Sequence, residues 1–147
     1  MVGLVSRLTC LALSSYEDGN TSPRHSSGQV TDFGLSCEGT VNYGSDSMPT
    51  RWVPLEVLRR DRWSVKSDVW AFGVTMWELL AYGLRPYEDL KDAEVKQFIM
   101  AGNRLDHPNA PSSEEDVKFW EMIQSCWAQH PRDRPDFETL LSKLSNK

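Results

Sequence analysis

The spacing of apolar and polar positions changes near residue 30 and divides the chain. Residues 14–29, "SSYEDGNTSPRHSSGQ", are rich in Ser, Gly, Asn and Pro and follow neither a strand nor a helix period. That composition cannot bury a core and reads as loop or disorder. From Val30 onward, apolar runs alternate with turn residues as in a folded unit. The expected division is an irregular extension over 1–29 and one folded domain over 30–147.

Within the folded part the spacing predicts helices. "PLEVLRRD" (54–61) reads as a short one, with Pro54 at its start. "VKSDVWAFGVTMWELLAYG" (65–83) carries the strongest signal. Ser67 or Asp68 is placed to cap its N-terminus, and Gly83 suits its C-terminal stop. Its apolar residues, from Val69 and Trp70 to Leu79 and Leu80, wrap most of the helix. A helix apolar all round needs neighbours on every face.

"KDAEVKQFIMAG" (91–102) reads as an amphipathic helix ended by Gly102. "SEEDVKFWEMIQSCWAQ" (113–129) opens with Ser113 and Asp116 in a capping-box pattern. Val117, Trp120, Ile123 and Trp127 then recur at helical spacing. "RPDFETLLSKL" (134–144) is the last predicted helix, with Pro135 in its first turn. Trp70, Trp77, Trp120 and Trp127 are expected in the core. No convincing strand follows residue 50, although Val30 could end a short one. The expected fold class is mainly α.

Composition narrows the functional classes. Hydrophobic residues make up 39% and charged residues 25%, as in a soluble globular protein. The net charge of −5 argues against a nucleic-acid or anionic-membrane surface. Cys10, Cys37 and Cys126 are odd in number and widely spaced, which argues against a disulfide framework or zinc site and for a reducing compartment. No run reaches the roughly 18 apolar residues of a membrane helix. "MVGLVSRLTCLALSS" faintly resembles a signal peptide, but Arg7 lies inside the apolar run rather than ahead of it. His25, His107 and His130 show no metal-ligand spacing.

The chemistry-bearing string is "VTDFGLSCEG" (30–39), followed by "PTRWVPLE" (49–56), "SDVWAFG" (67–73) and "CWAQHPRDRPDF" (126–137). This order and spacing resembles the C-terminal half of a protein kinase domain over residues 30–145. "PTRW" and "DVWAFGVTMWELLAYG" look like the tyrosine-specific branch. With "AGNRLDHP" they are most similar to the Axl–Mer group of receptor tyrosine kinases.

The resemblance implies a partial kinase large lobe, without the smaller N-terminal lobe. The family reaction is transfer of the ATP γ-phosphate to protein tyrosine. Asp32 would hold magnesium, with Phe33 packing beneath it and Gly34 letting the loop turn. Tyr43 sits where tyrosine kinases carry an activation-loop phosphosite. Pro49, Thr50, Arg51 and Trp52 match the segment that cradles residues beside the substrate tyrosine. Glu56 resembles a glutamate that pairs with a buried arginine, here Arg134, although "VPLE" departs from the family's Ala-Pro-Glu. Asp68 resembles an aspartate that caps its helix and hydrogen-bonds the catalytic loop backbone.

The remaining catalytic parts are not recognisable. Counting back from Asp32 by the family interval lands in "ALSSYEDGN", which holds no His-Arg-Asp. No Gly-rich loop, phosphate lysine or partner glutamate precedes it. Parts that act as a unit leave little activity when several are lost. The expectation is a truncated product without autonomous kinase activity. Magnesium and ATP belong to the intact family enzyme and are not expected on this chain alone.

The expected partners are tyrosine-containing proteins or kinase partners, with no nucleic acid and no membrane segment. The expected location is the cytoplasm, or the cytoplasmic side of a receptor. The alternative is a non-catalytic interaction module, acting through residues 84–110 or a phosphorylated Tyr43. One side of the helix at 67–80 is expected to be exposed, or covered in part by residues 1–13.

Overall fold

A computed structural model describes residues 49–60 and 62–145. The expected extension over 1–29, the end of a strand at Val30 and the Asp-Phe-Gly loop lie outside the described residues. Among the described residues there are helices and turns and no strand. The helices are α1 (Leu55–Arg60), α2 (Val65–Leu80), α3 (Asp92–Met100), α4 (Glu114–Cys126) and α5 (Phe137–Ser145). Short 3₁₀ turns at Thr50–Trp52 and Pro131–Asp133 precede α1 and α5.

The elements form where the pattern places them, with three local corrections. At the start of α2 the cap is Ser64, in an extended conformation (φ −158°, ψ 170°), and not Ser67 or Asp68. The Ser64 N–H donates to the Ser67 hydroxyl at 3.1 Å, so Ser67 works from inside the first turn. At α4 the Ser113 hydroxyl accepts from the Asp116 N–H at 3.1 Å, as the pattern requires. The returning Asp116 carboxylate instead accepts from the Ser112 N–H at 3.0 Å and from the Ser112 hydroxyl.

The third correction lies at the last helix. Arg134 precedes a proline, which disfavours helical backbone, and it is extended (φ −77°, ψ 144°). The helix therefore begins later, at Phe137, where the Asp136 carboxylate accepts from the Thr139 N–H at 2.8 Å. The C-terminal stops follow glycine as expected. Gly83 (φ +83°) donates its N–H to the Glu78 carbonyl at 2.8 Å, closing α2.

Helix α2 is the axis of the core. Val69, Trp70, Val74 and Trp77 are buried together with Val95, Ile99, Ile123, Cys126, Trp127 and Leu140. Trp120 is partly buried against this cluster. The approach of α4 is close: a Cβ on Gly73 would lie 2.7 Å from the Cys126 Cβ and 2.7 Å from the Trp127 Nε1. Only glycine permits that contact without displacement.

The opposite side of α2 is open. Val65 and Leu79 are each 40% exposed, and Asp68, Phe72 and Met76 between them are only partly covered. These positions recur at helical spacing and form one stripe. Phe72 finds one neighbour in Phe137 of α5, edge to face with centroids 5.8 Å apart. Among the described residues the all-round apolar character of α2 is thus left unmatched along one side.

Candidate functional site

The segment Pro49–Trp52 is held rigidly by two of its side chains. Arg51 is only 3% exposed and spends its guanidinium on backbone acceptors. Its Nη1 donates to the Pro86 carbonyl at 2.7 Å and the Tyr87 carbonyl at 2.6 Å, and its Nη2 donates to the Leu90 carbonyl. Its Nε donates to the Asp92 carboxylate at 2.9 Å, so the positive charge is balanced at the first residue of α3. The planar fork of arginine suits several fixed acceptors at once, which a lysine cannot match.

Trp52 ties the same segment to α2, donating its indole N–H to Glu78 at 2.9 Å. Burial raises the Glu78 pKa above the usual carboxylate range, and the Trp52 bond partly offsets that rise. Pro49 closes the turn, its carbonyl accepting from the Trp52 N–H at 2.9 Å. Thr50 also makes contact within the fold.

Glu56 and Arg134 are brought together across 78 positions of sequence. Arg134 Nη1 and Nη2 donate to the two Glu56 oxygens at 2.7 and 2.9 Å, a bidentate pair. The Arg134 side chain is fully buried and the Glu56 side chain 17% exposed. The other donors of Arg134 reach the Lys66 carbonyl at 2.8 Å and the Ala128 carbonyl at 3.0 Å. Lys66 returns a bond from its Nζ to the Arg134 carbonyl at 2.6 Å. The Arg134 guanidinium also lies 5.0 Å from the centre of the Trp70 ring, with Arg104 at 4.7 Å from the same ring. One buried arginine thus joins α1, the start of α2 and the approach to α5.

Asp68 sits one turn inside α2, on the open stripe. Burial pushes its pKa up to about 7, and no nearby charge or hydrogen bond opposes that rise. Among the described residues nothing donates to its carboxylate.

Asp32, Phe33, Gly34 and Tyr43 lie outside the described residues. Among the described residues no group of three or more His, Cys, Asp or Glu is placed to hold a metal ion. No described helix is long and apolar enough to cross a membrane.

Sequence reasoning missed the receiving side of Arg51, namely the carbonyls of residues 86, 87 and 90 and the carboxylate of Asp92. It also missed Glu78 as the partner of Trp52. The gap of 26 to 41 positions leaves no local pattern. The usable hint is Pro86, a turn residue ahead of α3, and the structure turns the chain there with Tyr87 at a positive φ of 54°.

A helical scaffold around α2, a pinned loop segment ahead of it and a buried Glu–Arg pair closing the ends together define the large lobe of a kinase-type catalytic domain. Comparison with known proteins agrees. The protein tyrosine and serine/threonine kinase family matches residues 23–144. The chain is 38% identical over 125 residues to the tyrosine-protein kinase receptor TYRO3 of Rattus norvegicus, covering 80% of this chain and 13% of that protein. It is 36% identical over 121 residues to tyrosine-protein kinase Btk of Drosophila melanogaster, covering 80% and 15%. It is 35% identical over 130 residues to tyrosine-protein kinase FRK of Homo sapiens, covering 83% and 25%. The chain belongs to the protein tyrosine and serine/threonine kinase family, on its tyrosine side, and spans only part of the catalytic domain.

Proposed function

We propose that this chain supplies the substrate-side shelf and helical scaffold of a protein tyrosine kinase and does not transfer phosphate by itself. Three further assignments belong to the same proposal. Asp32 is the magnesium ligand of the intact enzyme, Tyr43 is a phosphorylation site, and the folded unit runs over 30–147. The intact enzyme uses ATP and magnesium on tyrosine-containing proteins in the cytoplasm, or on the cytoplasmic side of a receptor.

Asp68 carries the reading. A carboxylate desolvated enough to titrate near neutrality, with no donor among the described residues, is prepared to accept N–H groups from a segment packed on the open stripe of α2. By family resemblance that segment is the catalytic loop. The sequence as given contains no His-Arg-Asp to provide it. The shelf at Pro49–Trp52 positions a peptide mechanically, through Arg51 and Trp52. Positioning without a catalytic base gives binding without turnover.

Incubating the purified chain with ATP, magnesium and a tyrosine peptide tests this directly. The expected result is no phosphopeptide by mass spectrometry. Turnover that disappears in Asp32→Asn overturns the proposal.

A further inference from the structure

Away from the substrate-side shelf, a cavity of about 760 Å³ opens between α1, the loop into α2 and the turn at residues 129–131. Arg59, Arg60 and Arg62 line it, with Trp63 beside them and His130 on the facing turn. The chain as a whole is acidic, at −5, so three arginines at one opening are a local reversal of charge. Arg59 and Arg60 end α1, where basic side chains ordinarily bond the last carbonyls. These do not. Among the described residues, none of the three arginines makes a hydrogen bond or ion pair.

The contrast with the other arginines is sharp. Arg51, Arg104 and Arg134 each donate several bonds inside the fold. Glu56 lines the same cavity, but both of its oxygens are taken by Arg134. Asp61 falls between Arg60 and Arg62 in the sequence and lies outside the described residues. Even counting it in full, the opening keeps an excess of positive charge.

Free guanidinium forks select anions with several acceptor oxygens, and a phosphate monoester offers three on one centre. A free phosphate ion would fill little of this volume, which is in the range of organic ligand sites. Leu55, Trp63 and Pro131 add apolar wall beside the arginines, enough to receive an aromatic ring. We propose that this cavity binds the phosphotyrosine side chain of a peptide, with Arg59, Arg60 and Arg62 on the phosphate and Trp63 against the ring.

The test is fluorescence anisotropy with the full chain and a short fluorescein-labelled phosphotyrosine peptide. Saturable binding is expected, weakened about tenfold in Arg59→Gln and further in Arg59→Gln/Arg62→Gln, because each lost charged hydrogen bond contributes about that factor. Trp63→Leu should remove the preference for phosphotyrosine over phosphoserine peptide. The two arginine variants should share the urea midpoint of the unsubstituted chain, since the arginines are exposed and bond nothing among the described residues. Trp63 packs in part against the core, so its variant is compared below its own unfolding transition. Equal binding of the unphosphorylated peptide, or indifference to the arginine variants, overturns the proposal. So does competition by inorganic phosphate at the peptide's own affinity, which would assign the site to the free ion.

Discussion

Removing the Glu56 carboxylate should destabilise the chain severely, because it strands a buried charge without its counterion. In Glu56→Ala, the fully buried Arg134 loses its two contacts at 2.7 and 2.9 Å and keeps only the Lys66 and Ala128 carbonyls. Breaking a buried pair from one side is typically destabilising by about 3–5 kcal/mol. Two features reduce the loss. The carbonyls leave the guanidinium partly satisfied, and the Glu56 side chain is 17% exposed, so water can enter the space vacated. The expected loss is about 3 kcal/mol, a large part of the total for a domain stable by about 5–15 kcal/mol.

Urea unfolding followed by tryptophan fluorescence measures that loss. With an m-value near 2 kcal/mol/M, the midpoint should fall by about 1.5 M. Glu56→Gln keeps the shape and one acceptor and should lose roughly half as much, which covers the case in which the alanine variant does not fold. Arg134→Met combined with Glu56→Ala should recover part of the loss, since no charge is then stranded. A loss below about 1 kcal/mol in Glu56→Ala would refute the reasoning, as would a double variant no better than the single.

Gly73→Ala should destabilise by about 1–3 kcal/mol by overpacking α2 against Cys126 and Trp127, read as a lowered urea midpoint. Trp52→Phe removes the donor to Glu78 and should raise the Glu78 pKa further, measured by NMR titration of its side-chain carboxyl. The Asp68 pKa rises on folding from 3.8 to about 7, so the folded chain holds the proton longer than the unfolded one. Stability should therefore fall as pH rises through that window and level off above it. The full shift equals about 4 kcal/mol, and partial hydration of the carboxyl reduces this to about 1–2 kcal/mol. Asp68→Asn should flatten the profile, and an unchanged slope would refute the assignment. Burial pushes the Cys126 thiol up to about 11, so iodoacetamide at pH 8 should label it only after denaturant is added, checked by peptide mass mapping.

How much was legible follows from the range of each signal. The 3.6-residue repeat of α2 and α4 and the glycines at 83 and 102 act within a few residues, and they placed the helices. The start of α5 was misplaced because Pro135 was read as a first-turn residue. The restriction that proline puts on Arg134 was the stronger local effect. Ser64 carries no capping-box signature in the sequence, since the residue at its third position is Ser67 rather than a glutamate or glutamine. Glu56 and Arg134 could be named from family resemblance. Their bidentate geometry, and the four acceptors that hold Arg51, arise from contacts tens of residues apart that no local pattern records.

Asp68 shows why the open stripe of α2 and the proposed lack of turnover would share one physical origin. The apolar content of α2 exceeds what the described residues can cover, so Val65, Phe72 and Leu79 remain partly exposed around a carboxylate that is partly desolvated and has no donor among the described residues. A segment laid on the stripe would bury the apolar side chains, and that alone would raise the Asp68 pKa further. A segment that also brings hydrogen-bond donors, such as backbone N–H groups, or a positive charge to the carboxylate would reverse the shift. The pH dependence of stability then changes sign: a lowered pKa makes Asp68 stabilising above its unfolded value of 3.8 and lost as pH falls. A purely apolar cover instead extends the original fall in stability to higher pH. The direction of that slope therefore tells whether the element that completes this scaffold presents donors or positive charge to Asp68, as a catalytic loop backbone would, or only an apolar face.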